Sequence, residues 1–111
     1  MTDRIDEFDP EIGALIEFKL KKSPYLATVF IYDDGRDVFL DLDCETSIED
    51  SVMTSVNKIT PFTRSQNSPY LPTENPSPYV LVAAAEVARD TLINNGYKLV
   101  SEKRSYLQLG I

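Results

Sequence analysis

The stretch "ALIEFKLKKSPYLATVFIYDDGRDVFLDLD", residues 14–43, decides the fold. In its first third Leu15, Glu17, Lys19 and Lys21 alternate with Ile16, Phe18 and Leu20. Successive side chains of an extended chain point to opposite faces, so this period of two predicts a half-buried strand over residues 14–21. Ser23-Pro24 ends it, because proline fixes one backbone angle and brings no N–H to a ladder. "YLATVFIY" is rich in β-branched and aromatic residues and predicts a central strand over 25–32. "DDGRD" supplies Gly35, which can take the positive φ that a short hairpin needs. "VFLDLD" then returns with Val38, Leu40 and Leu42 on one face and Phe39, Asp41 and Asp43 on the other. The three segments make an antiparallel meander.

Downstream the period changes. In "TSIEDSVMTSVNK", residues 46–58, Ile48, Val52 and Val56 share one helical face. Thr46 or Ser47 is a candidate cap, and Glu49 and Asp50 sit near the positive end of the helix. A second helix is bracketed by its own signals: Ser77 as N-cap, Pro78 in the first turn, and Gly96 as the stop after Asn95. Its apolar stripe holds Leu81, Ala84, Ala85, Ala88 and Leu92, small enough for close approach to a sheet. "YKLV" and "SYLQLGI" read as two short strands joined around Glu102-Lys103. The order predicts an α+β fold, an antiparallel sheet with two helices packed on one face. Residues 1–11 read as a flexible acidic arm, and 12–111 as a single domain with a long proline-rich loop at 60–77. The triplet Ser-Pro-Tyr occurs at 23–25, 68–70 and 77–79 with no fixed period, so it reflects local backbone chemistry rather than a repeat.

Composition narrows the function. The 111 residues suit one domain, and 42% hydrophobic with 26% charged residues argues against wholesale disorder. The longest apolar run, "YVLVAAA", is far short of the ~20 residues of a membrane span. A lone cysteine, Cys44, and an acidic start without a signal-peptide layout predict a cytoplasmic protein. The net charge of −7 is uneven: residues 1–50 hold fourteen acids and five bases, residues 51–111 four acids and six bases. Negative charge disfavours direct binding to nucleic acid or an anionic membrane and favours a protein with a basic surface.

The absence of histidine removes every arrangement that needs an imidazole, and with one cysteine argues against a structural zinc site. Four isolated glycines exclude phosphate-binding loops. Glu17-Phe18-Lys19 has the E-x-K spacing of metal-dependent nucleases, with Asp6 or Asp9 as the upstream acid, but an acidic face is a poor approach for DNA. No catalytic residue and no cofactor are expected. The candidate binding residues are Asp33, Asp34, Asp37, Asp41 and Asp43 of the acidic hairpin, with Tyr70, Leu71 and Tyr79 as anchors. Asp41 and Asp43, two apart on a strand, lie about 7 Å from one another on one face. Such a row serves solubility, meets a basic partner, or imitates the phosphates of a nucleic acid. The stiffened loop carrying Phe62, Tyr70, Leu71 and Tyr79 either pins itself to its own domain or docks a partner. The sequence therefore predicts a small acidic, non-enzymatic binding module of the inhibitor, immunity or adaptor type. Self-association as an assembly subunit is the alternative.

Overall fold

The computed structural model describes residues 13–64 and 69–105. In chain order the elements are β1 (Ala14–Lys22), β2 (Tyr25–Asp33), β3 (Val38–Asp43), α1 (Thr46–Asn57), β4 (Phe62–Arg64), β5 (Tyr70–Pro72), α2 (Pro78–Asn94) and β6 (Lys98–Ser105). The strands form one six-stranded sheet in the order β4-β5-β3-β2-β1-β6, and every pairing is antiparallel. The α+β fold and its N-terminal meander are as the alternation requires. The acidic arm expected at 1–11 and the second C-terminal strand expected beyond Ser105 lie outside the described residues. Through Glu102-Lys103, where a turn is expected, β6 runs on unbroken against β1.

The alternation does the sorting. Ile16, Phe18 and Leu20 of β1, Ala27, Val29 and Ile31 of β2, and Leu40 and Leu42 of β3 all turn to one side and are buried. Both helices cover that side: Val52, Met53 and Val56 of α1 and Leu81, Ala84, Ala85, Ala88 and Leu92 of α2 complete the same core. The alanines let α2 approach the strands closely, since a methyl group leaves room for the branched side chains beneath.

Local chemistry fixes the ends of α2. Ser77 is the N-cap and its Oγ accepts from the Val80 N–H at 3.4 Å, with Pro78 in the first turn. At the other end Gly96 takes φ +99°, its N–H bonds the Ile93 carbonyl at 3.0 Å, and the Tyr97 N–H bonds the Leu92 carbonyl at 3.1 Å. This pair of bonds is a Schellman stop, completed by burial of Leu92 and Tyr97. α1 begins differently from expectation. Glu45 precedes it, and neither Thr46 nor Ser47 supplies a side-chain cap.

The segment at 60–77, expected as a loop, contains β4 and β5, which extend the sheet past β3. Phe62 and Tyr70 are buried there. Strands of three residues, one of them ending in a proline, give no readable alternation; β5 stands on the edge that β3 supplies, and β4 on β5. No helix among the described residues is long and apolar enough to cross a membrane.

A methyl-to-isobutyl change beneath α2 tests the close approach. Ala88→Leu overpacks the helix–sheet layer and costs about 1–3 kcal/mol, read as a lower denaturant midpoint with unchanged slope.

Candidate functional site

The side of the sheet away from the helices carries the other half of the alternation. Cross-strand register sets its side chains in four rows. Ser105, Leu15, Tyr32 and Phe39 form the first; Lys103, Glu17, Phe30 and Asp41 the second. Ser101, Lys19, Thr28 and Asp43 form the third; Lys98, Lys21 and Leu26 the last. Antiparallel continuation of the Leu40–Tyr70 pairing places Leu71 beside Phe39. No described helix lies over these rows.

Two features stand out on this open face. At one end Phe30, Tyr32 and Phe39 pack as an aromatic cluster, with ring centroids 5.4 to 6.5 Å apart, beside half-buried Leu15. At the other, Leu26 is 68% exposed and Val100, the extra residue of a bulge in β6, is 64% exposed. They border a hollow of about 430 Å³ together with Lys19, Lys21 and Thr28. The second feature is charge. Asp41 and Asp43 project from β3 and are exposed, while Lys19, Lys21, Lys98 and Lys103 project from β1 and β6 and are exposed. Among the described residues none of these six takes part in an ion pair.

The candidate residues from the sequence scatter accordingly. Asp41, Asp43 and Leu71 share the open face. Asp37 is exposed at the β2–β3 turn. Asp33, expected at the acidic surface, points to the helix side instead, is 5% exposed, and its Oδ1 accepts the Gly35 N–H at 2.8 Å. Asp34 is occupied by the turn: its Oδ1 accepts the N–H groups of Arg36 and Asp37 at 2.9 and 2.8 Å, and its Oδ2 the Tyr32 hydroxyl at 3.0 Å. Those backbone N–H groups hold its carboxyl below the ordinary aspartate value. Tyr79 is exposed, but on the first turn of α2, in the helix layer.

Tyr70, expected as an anchor for a partner, is a buried pin for its own domain. Its hydroxyl donates to Glu49 of α1 and accepts from Arg64 of β4 at 2.9 Å, while Arg64 also pairs with Glu49. Burial, then the bond to Glu49, pushes the Tyr70 hydroxyl up to about 12. The same bond leads the causes that hold the Glu49 carboxyl below its usual range. A second pin joins Tyr97, whose hydroxyl donates to Glu45 at 2.8 Å, and Lys22, whose Nζ lies 3.6 Å from Glu45. On the helix side, the guanidiniums of Arg89 and Arg104 lie 5.1 and 5.4 Å from the Phe18 ring centre.

Glu17 and Lys19 lie on the open face while Phe18 enters the core, and the proposed acids Asp6 and Asp9 fall outside the described residues. Among the described residues no group of three or more cysteine, aspartate or glutamate side chains converges as metal ligands. Burial pushes the Cys44 thiol up to about 11, so it remains protonated at neutral pH.

Sequence reading overlooked Leu15, Phe30 and Tyr32. A signal was present: in β2, Leu26, Phe30 and Tyr32 are apolar, and so are the alternate Ala27, Val29 and Ile31. A strand apolar on both sides is usual where both faces of a sheet are covered.

The Glu49–Tyr70–Arg64 pin has a pH signature. A lowered Glu49 value stabilises the fold fully above the ordinary glutamate range near 4.3, and that contribution drains as pH falls toward the lower folded value. Raised tyrosine values act oppositely: stability falls as pH rises from about 10 to the values of about 12 at Tyr70 and Tyr97. Glu49→Gln should lose about 1–2 kcal/mol at pH 7, since Arg64 is half exposed and screened, and should flatten the acid limb in urea unfolding. A retained acid limb would place that proton elsewhere. The chain matches no protein-family model, no curated protein and no solved structure.

Proposed function

We propose that this chain is a non-enzymatic protein-binding module whose contact surface is the face of its sheet that no described helix covers. The observation that carries the reading is an aromatic cluster, Phe30–Tyr32–Phe39, on the same face as two exposed carboxylates free of ion pairs among the described residues. Clusters of that kind provide contact area at small entropic loss, because each ring has few rotatable bonds. Unpaired charges beside them select the partner and speed its approach.

The partner carries a basic strip placed to meet Asp41 and Asp43, next to an apolar patch that meets Leu15, Tyr32, Phe39 and Leu71. The spacing of the two carboxylates, about 7 Å along the strand, also suits imitation of a phosphate row, the finer form of the same reading. Asp33, Asp34 and Tyr70 have structural duties in this account, and Tyr79 lies apart from the surface.

Affinity capture from the native host's extract tests it. Asp41→Asn combined with Asp43→Asn should weaken capture about tenfold at low salt and flatten its salt dependence. Glu74→Gln, at an exposed position after β5, serves as the control and should leave capture unchanged. Equal capture by wild type and the double variant would move the site off this face.

A further inference from the structure

The basic strip that the reading above asks of a partner exists on the chain itself, one strand away from the acids. On the open face β3 presents Asp41 and Asp43, while β1 and β6 present Lys19, Lys21, Lys98 and Lys103. Apart from Glu17 of β1, acid and base therefore lie on opposite sides of a line between β2 and β1. The apolar groups are distributed differently, at the two ends of the strands: Leu15, Tyr32 and Phe39 at one, Leu26 and Val100 at the other.

We infer that the occupant of this face is a second copy of the chain, related by a two-fold axis that runs parallel to the strands between β1 and β2. The inference rests on the open face being the binding surface and names its partner. Such an axis keeps position along the strands and reverses position across them. The aromatic row of one copy then meets the aromatic row of the other, β3 of each lies over β6 of its mate, and β2 lies over β1. In the second row Lys103 stands against Asp41 of the second copy; in the third, Lys19 comes within diagonal reach of its Asp43. Glu17 keeps Lys103 of its own chain as cross-strand neighbour. An axis perpendicular to the strands fails on both counts, since it sets β3 against β3 and one apolar end against the other.

The geometry agrees with known sheet packing. Two aligned faces stack about 10 Å apart with strands within roughly 30°. The shared patch, four strands wide and four rows long, measures about 19 by 27 Å. Such a patch is near the lower limit for specific association, so the dimer is concentration-dependent rather than obligate. Pairing through the edge of β6, the outermost described strand on that side, is the competing mode. The bulge at Val100 and the charges of Lys98, Glu102, Lys103 and Arg104 oppose it.

Complementary charge reversal decides the matter. The wild-type chain should shift from monomer to dimer in sedimentation between about 5 and about 500 µM. Asp41→Lys with Asp43→Lys should stay monomeric across that range, as should Lys19→Glu with Lys103→Glu, each with an unchanged circular-dichroism spectrum. Mixed in equal amounts, the two variants should form a heterodimer, seen by native mass spectrometry, because each acid strip again meets a basic one. A wild type that stays monomeric overturns the inference. If that monomer still captures a different basic protein through Asp41 and Asp43, the binding face survives and only the second copy is lost. Dimerisation of both variants, or failure of the mixture to associate, also overturns it.

Discussion

Close contact between the alanines of α2 and the inward row of the meander is the constraint on which the rest depends. Ala84, Ala85 and Ala88 are fully buried, as are Ile16, Phe18, Val29, Ile31 and Leu40 beneath the helices. Burial of Ile16, Phe18, Leu20, Ala27, Val29, Ile31, Leu40 and Leu42 on one side sets the register of β1, β2 and β3, because a slip of one residue would expose every one of them. Once that register is set, the second half of each strand has no choice of direction. Glu17, Lys19, Phe30, Tyr32, Phe39, Asp41 and Asp43 must face outward together. The open face is thus a consequence of the core, and its composition is where the sequence was free to specify function.

How much of this could be read from the chain depends on how local each signal is. The meander and α2 are announced by patterns a few residues long: alternation, Gly35 in a turn, Ser77-Pro78 at a helix start, Gly96 at its stop. β4 and β5 have no such pattern: β5 exists by pairing with β3, far back in the chain, and β4 by pairing with β5. Asp33 reads as one more acid of an acidic turn, yet the nine-residue length of β2 carries it onto the buried side. Tyr70 reads as an anchor because its partner Glu49 lies twenty-one residues back on a helix. The aromatic cluster was half legible, since β2 is apolar in both of its alternate sets. Its completion by Phe39 and Leu15 needed the register.

The uneven charge along the chain acquires a spatial meaning in the same way. An acid-rich first half and a slightly basic second half suggest one negative side to the molecule. In the fold, β6 returns from the basic half to lie against β1, while β3, from the acidic half, lies two strands away. The result is a face divided into acidic and basic strips rather than a uniform negative surface. Several of the remaining charges are spent within the domain, in Arg104–Glu86, Arg104–Glu102 and Arg64–Glu49. Arg104–Glu86 holds β6 to α2 and Arg64–Glu49 holds β4 to α1, while Arg104–Glu102 lies within β6; the outer rows are left available.

A dilution series followed by nuclear magnetic resonance tests the central claim most directly, because it reports residue by residue which side of the sheet meets a neighbour. Signals of Leu15, Phe30, Tyr32, Phe39 and Leu26 should move with concentration while those of α1 and the exposed side of α2 stay fixed. Movement confined to the helices, or to the outer edge of β6, would contradict an account in which the outward rows of the meander form the contact.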